Sequence, residues 1–190
     1  ITSERSALSE VIENFLRYHV VDPRTTEGYR SHLRRFLTYW SPETPIHGID
    51  SRQLREYFMD LTHEEEVGPA TSNLRRTIVR MVFQFAKDEG LLDEVPRFPK
   101  RLKVGQTRIR FLTDEEEHSL IDALPMDHWK DLTRFQIYTG LRISEALSVR
   151  PIDRENELIQ VVGKGSKVRT VPLSVTALSS LPSSTYYDQR

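Results

Sequence analysis

Apolar residues recur at intervals of three and four through most of the first half of the chain. Over residues 6–18, Leu8, Val11, Ile12, Phe15 and Leu16 fall on one face of a helix. A second helix is predicted over residues 25–40, where Tyr29, Leu33, Phe36, Leu37 and Trp40 keep the same period. Ser41-Pro42 stops it, because the residue before a proline is pushed out of the helical region. Asp50 or Ser51 caps a third helix carrying Leu54, Tyr57, Phe58 and Leu61. Gly68-Pro69 breaks the chain again. A fourth helix follows over residues 70–89, with Leu74, Ile78, Met81, Val82 and Phe85 predicted inward and Gly90 as its stop. Four amphipathic helices with short breaks predict a compact helical domain over residues 1–94.

The pattern then changes. Residues 95–111, VPRFPKRLKVGQTRIRF, contain two prolines, one glycine and no acid. They carry six basic side chains: Arg97, Lys100, Arg101, Lys103, Arg108 and Arg110. This composition reads as an interdomain linker. It is either a solvated basic loop or a strap over a phosphate backbone, which would release counterions on binding.

A second domain is predicted over residues 112–190. TDEE is a capping box, with Thr113 as N-cap and Glu116 three residues on. Glu115, Glu116 and Glu117 suit the positive end of the helix, and capping explains them more cheaply than a metal site does. Pro125 ends that helix. Residues 129–138 read as the next, with Leu132, Phe135, Gln136 and Ile137 partly buried. Gly140 interrupts, and residues 143–149 resume as a helix. The period then switches to two. Residues 157–162 and 168–173 read as strands joined by GKGSK, with Pro172 marking an edge or an end. The fold class is thus mainly α with a small β-hairpin or sheet: a four-helix domain, then a mixed α+β one.

Composition narrows the function classes. Charged residues make up 29% of the 190 and hydrophobic ones 37%, and the apolar runs are far too short to span a membrane. The first residues lack the basic start and apolar core of a signal peptide, and the absence of an initial Met suggests a trimmed or partial chain. There is no cysteine, which excludes disulfides and thiolate metal sites and fits a reducing, cytoplasmic compartment. None of the six histidines pairs with another at i, i+4, and in HEEEV Val67 fills the second ligand position of a HExxH motif. No metal or cofactor is expected. The net charge of −1 favours no partner, so the placement of the basic residues matters more.

Two short stretches carry candidate chemistry. In TGLRISE, Gly140 permits a tight turn, and Arg142 sits in the first turn of the helix that follows. There the unpaired N–H groups favour anions, and a planar guanidinium can grip two phosphate oxygens at once. The ordinary alternative is a helix-start arginine paired with Glu145 at i, i+3. In GKGSKVRTVPL, Lys164 lies between Gly163 and Gly165 at the hairpin tip, an open loop that can bring an ammonium close to a crowded backbone. The ordinary alternative is a flexible turn with solubilising Lys164 and Lys167. The stretch is not a P-loop, because the GxxxxGK[ST] spacing is missing.

Taken together, TGLRISE, Asp153, an Ile/Val strand and GKGSKVRTVPL resemble the tyrosine recombinase family, also called the phage integrase or Xer/Cre-type family. TTEGYRSHLRRFLTYW and ATSNLRRTIVRMVFQFAKDEG look like the second and fourth helices of that family's SAM-like core-binding domain, and FLTDEE like the start of its catalytic domain. The resemblance implies site-specific cutting and rejoining of double-stranded DNA without metal or nucleotide cofactor, in DNA recombination or integration. A tyrosine attacks the scissile phosphate, forms a 3′-phosphotyrosyl bond and releases a 5′-hydroxyl. Arg142 matches the first catalytic arginine, Lys164 the lysine that protonates the departing oxygen, and Glu145 the acid that orients the site from behind. The two domains of such enzymes clamp the duplex and self-associate on it. The implied DNA contacts are Arg30, Arg34 and Arg35 on the second helix, Arg75, Arg76 and Arg80 on the fourth, Lys100, Arg101, Lys103, Arg108 and Arg110 in the linker, and Lys167 and Arg169 in the hairpin.

The resemblance is incomplete. A His-x-x-Arg motif and the nucleophilic tyrosine belong well beyond the hairpin, yet no His follows His128. Tyr186 and Tyr187 come too early to serve. The chain therefore reads as a truncated recombinase, as a short DNA-binding regulator on the same scaffold, or as a chain completed by another. A protein-interaction module built from the helical domain is a further class.

Overall fold

The computed structural model describes residues 6–63, 67–105, 109–149, 154–155, 157–163, 165 and 167–180. They fall into two compact units, residues 1–107 and 108–190.

The first unit is four helices: α1 (Leu8–Tyr18), α2 (Pro23–Tyr39), α3 (Ser51–His63) and α4 (Pro69–Asp88), with a 3₁₀ turn at Ile46–Gly48. Local chemistry sets their ends. The Asp22 carboxylate accepts the Arg24 N–H, and Pro23 occupies the first turn of α2, where no N–H is needed. Asp50, rather than Ser51, caps α3: its Oδ1 accepts from the N–H groups of Arg52 (2.7 Å) and Gln53 (2.8 Å), and Gln53 Oε1 accepts from Asp50 N in return. Gly90 follows α4 at φ +72°, a conformation that costs other residues.

All four helices point their apolar stripes at one core. Val11, Ile12 and Phe15 of α1 meet Leu33 and Phe36 of α2, Leu54 and Tyr57 of α3, and Ile78, Val82 and Phe83 of α4. Phe36 packs edge-on against Tyr57 (ring centroids 5.2 Å apart) and Phe83 (6.3 Å). Leu74 departs from the expectation: it is 47% exposed, and Ser72 and Asn73 hold the buried positions at that turn. A polar residue is needed inside there because the basic segment docks on it.

That segment is tied to the helices. Ser51 Oγ accepts from Arg97 N at 2.7 Å. Phe98 packs against Phe83 (5.6 Å) and Phe58 (6.2 Å), with the Arg76 guanidinium 5.8 Å above its ring. Arg76 Nε donates to the Pro99 carbonyl at 2.6 Å. The Asn73 carboxamide bonds Leu102. The stretch from Arg97 to Leu102 is a strap laid over α3 and α4.

The second unit begins with α5 (Asp114–Asp122) and α6 (Asp127–Thr139). Both halves of the Thr113–Glu116 capping box form. Gly140 ends α6 at φ +64°. The next helix, α7 (Ile143–Ala146), is one turn and stops short of the expected Val149; the Ser148 and Val149 N–H groups instead fold back onto the Glu145 carbonyl. A three-stranded antiparallel sheet follows, in the order β1 (Arg154–Glu155), β2 (Leu158–Val162), β3 (Val168–Pro172), with Leu158 opposite Pro172 and Val162 opposite Val168. A short helix α8 (Val175–Ser179) is capped by Ser174. Ile159, Val161 and Val171 face inward onto Leu132, Phe135, Ala146 and Ala177. Ile137 is 39% exposed, so it belongs to the solvent face of α6 rather than its partly buried one. Among the described residues, no helix is long and apolar enough to cross a membrane.

Candidate functional site

The centre of the second unit's site is a buried carboxylate. Glu145, on the single turn of α7, is 4% exposed. A carboxylate this far from water must be fully hydrogen-bonded. Four donors reach it. The backbone N–H of Arg142 gives to Oε2 at 2.8 Å, closing the start of α7. The Arg142 guanidinium gives to Oε1 at 3.0 Å. Arg169, on β3, approaches as a fork: Nη1 to Oε1 and Nη2 to Oε2, both at 2.8 Å. The fork, and after it the Arg142 N–H, hold the carboxyl at a pKa of about 2, and the Glu145 carboxylate in turn raises that of Arg169.

This arrangement leaves net positive charge. Two guanidiniums share one carboxylate, and the Arg142 side chain is 67% exposed. Arg142 is held at its base and open at its face. It sits as N-cap of α7 just after Leu141, whose N–H is bonded by Thr139 Oγ1. The pairing of Arg142 with Glu145 and its availability to an anion are therefore compatible, because the pairing uses one edge of the guanidinium.

The glycines of the hairpin have separate reasons. A Cβ on Gly163 would lie 3.2 Å from Arg169 Nη1 and 3.4 Å from Glu145 Oε1, so the hairpin base closes directly onto the ion pair. Its N–H donates to the Lys167 carbonyl at 2.8 Å. Gly165 has φ +76°, which only glycine adopts without strain. Lys164, between them, lies outside the described residues, as do Asp153, Arg108, Tyr186 and Tyr187. Arg142 and the base of the hairpin, distant in sequence, meet at one carboxylate.

The basic residues of the sequence reading sort by what they touch. Arg30 pairs with Glu13 at 2.5 Å, Arg110 with Glu116, and Arg169 with Glu145; Arg76 holds the strap. Burial, with Arg80 and Arg101 nearby, lowers the pKa of Arg76. Arg35 and Arg75 are half-buried, while Arg34, Arg80, Lys100, Arg101, Lys103 and Lys167 are exposed. Sequence reasoning missed that Asn73 and Arg76 fasten the strap, since an Asn and an Arg on a helix have no partner visible in the pattern. No group of three or more His, Asp or Glu side chains among the described residues is placed to hold a metal ion.

The described residues thus form a four-helix unit and an α+β unit, the second carrying an arginine–carboxylate–hairpin junction. Two family models match the chain: the "Phage integrase, N-terminal SAM-like domain" over residues 12–90, and the "Phage integrase family" over residues 110–188. The chain belongs to the tyrosine recombinase, or phage integrase, family. It is 30% identical over 181 residues to the tyrosine recombinase XerC of Shewanella amazonensis, an alignment covering 90% of this chain and 60% of that protein. It is likewise 30% identical over 183 residues to the tyrosine recombinase XerA of Pyrococcus furiosus, covering 94% and 61%. The chain thus spans about 60% of the length of these relatives. Its fold resembles that of a lambda integrase (75–356) dimer bound to a COC′ core site, with a TM-score of 0.76 at 16% identity, covering 93% of this chain and 68% of that one. It also resembles the Tn1549 transposon integrase in complex with a circular intermediate DNA, with a TM-score of 0.70 at 18% identity, covering 92% and 63%.

Proposed function

We propose that this chain is the DNA-binding domain and the first part of the catalytic domain of a site-specific recombinase, acting on double-stranded DNA in the cytoplasm. The observation that carries the reading is the Glu145 junction. It supports an exposed guanidinium at a helix start and draws the base of the GKG hairpin beside it.

The chemistry follows from those positions. When a tyrosine oxygen attacks the scissile phosphorus, charge builds on the two non-bridging oxygens. Arg142 stabilises that charge. As the bond from phosphorus to the 5′-oxygen breaks, Lys164 gives a proton to the leaving oxygen, so a 5′-hydroxyl departs and the 3′-phosphate stays on the tyrosine. The tyrosine and a His-x-x-Arg are not found among the residues that follow the hairpin here. In this reading the longer protein, or another chain, supplies them. The exposed Arg34, Arg80, Lys100, Arg101 and Lys103 contact phosphates, and Lys167 does so beside the hairpin. Assembly on DNA through like copies is part of the same reading, in keeping with the dimeric and tetrameric lambda integrase complexes.

Strand cleavage of a duplex by the complete protein tests this. Arg142→Ala and Lys164→Ala are expected to abolish the covalent protein–DNA product and leave duplex affinity nearly unchanged. Undiminished cleavage would remove both assignments. The alternative reading is a non-cleaving DNA-binding regulator on this scaffold. In that case the longer protein forms no covalent product at all, and binding alone persists.

A further inference from the structure

The recombination chemistry above gives Arg169 no step. The resemblance groups it with the DNA contacts, but its geometry points to another task. Its guanidinium is spent on Glu145 through two bonds of 2.8 Å, and that carboxylate is buried. The same carboxylate holds both the backbone and the side chain of Arg142. We propose that Arg169 is a positioning residue. It locks Glu145, and through Glu145 it fixes the Arg142 guanidinium, so that strand β3 and the start of α7 are registered to each other as one unit. The inference rests on the recombinase reading for its purpose, but its geometry stands apart from it.

Three observations converge here. First, a fork fixes both the position and the rotation of a carboxylate, where a single ammonium would fix only a distance. Second, Arg142 alone contributes one side-chain bond to Glu145, at 3.0 Å, on an exposed side chain. Without the fork the buried carboxylate would be under-bonded, and Arg142 would be the mobile member of the pair. Third, Gly163 leaves room for this contact and no more, since a Cβ there meets both Arg169 Nη1 and Glu145 Oε1. The hairpin that carries Lys164 is thereby referenced to the carboxylate that places Arg142.

The test uses the 190-residue chain with isotope labels and two readouts. In the first, NMR follows the titration of the Glu145 carboxyl and the Nε–Hε signal of Arg142. In Arg169→Gln, Glu145 is expected to titrate closer to the ordinary glutamate value of 4.5 than to about 2, and the Arg142 signal to shift or broaden. In the second, affinity for a 20-base-pair duplex is measured against salt. Loss of a true phosphate contact lowers the log–log slope by about one. Arg169→Gln is expected to leave the slope unchanged, whereas Lys103→Gln lowers it. Unaltered Glu145 and Arg142 signals in Arg169→Gln, or a slope reduced as in Lys103→Gln, would overturn the inference. Should Arg169→Gln not fold, Arg169→Lys answers the same questions: it keeps the charge without the fork and is expected to shift both signals part of the way. If the unaltered chain fails to bind the duplex, the recombinase reading falls, and the NMR readout still decides the role of Arg169.

Discussion

The Asn73 side chain pairs with the backbone of Leu102 in both directions, Nδ2 donating to the carbonyl and Oδ1 accepting from the N–H, each at 2.9 Å. A carboxamide on α4 thus takes the place of a neighbouring strand and gives the strap its last fixed point. Asn73→Ala removes both bonds at a site where Asn73 is 8% exposed. The expected cost is about 1–3 kcal/mol in chemical denaturation. Proteolysis should then cut the strap near Leu102 before the helices unfold. Equal resistance in both proteins would mean that the strap is held elsewhere.

Acid should weaken the second unit through Glu145. Its pKa falls from 4.5 to about 2 on folding, so the unfolded chain takes up the proton first. The stabilisation is complete above pH 4.5 and drains as the pH drops from there toward 2. Acid unfolding monitored by fluorescence of Trp129 should show this loss, and Glu145→Gln should flatten the profile over the same interval while lowering stability at neutral pH. An unchanged profile would show that the carboxylate is not held as described.

Gly163 and Gly165 should fail differently. Gly165→Ala meets no neighbour but must adopt φ +76°, at a cost of about 1–2 kcal/mol. Gly163→Ala has no such φ and instead presses on Arg169 and Glu145. Only the second change is expected to shift the Arg142 NMR signal. Identical effects on Arg142 would dissolve the distinction between a conformational glycine and a close-contact one.

Periodicity made much of this architecture legible. The stripes of α1 to α4 and the switch to period two around GKGSK appear in the sequence because burial there repeats along one element at a time. Thr113 and Glu116 were readable for the same reason, since a capping box is local. Leu74 was misread because the strap, not the helix, decides which side of that turn is buried. Strand β1 and helix α8 were missed because two and five residues are too few to show a period. The Arg142–Glu145 pair could be read from i, i+3 spacing. The Arg169 fork could not, because it joins residues 24 apart through a tertiary contact. Arg30, Arg76 and Arg110 looked like free charge for the same reason, their partners lying on other elements or loops.

The most direct test of the account is the salt dependence of duplex binding by the chain itself. Arg34 and Arg80 on the helices, Lys100 and Arg101 on the strap, Lys103 just past it and Lys167 in the hairpin, all exposed, predict a slope of log affinity against log salt of about −4 or steeper. Charge-neutralising changes at Arg34, Arg80 and Lys103 should each lower it by about one, and changes at Arg30 or Arg110, already paired with acids, by much less. A flat dependence, with affinity insensitive to salt and to those substitutions, would contradict a DNA-binding role and return the helical domain to the class of protein-interaction modules.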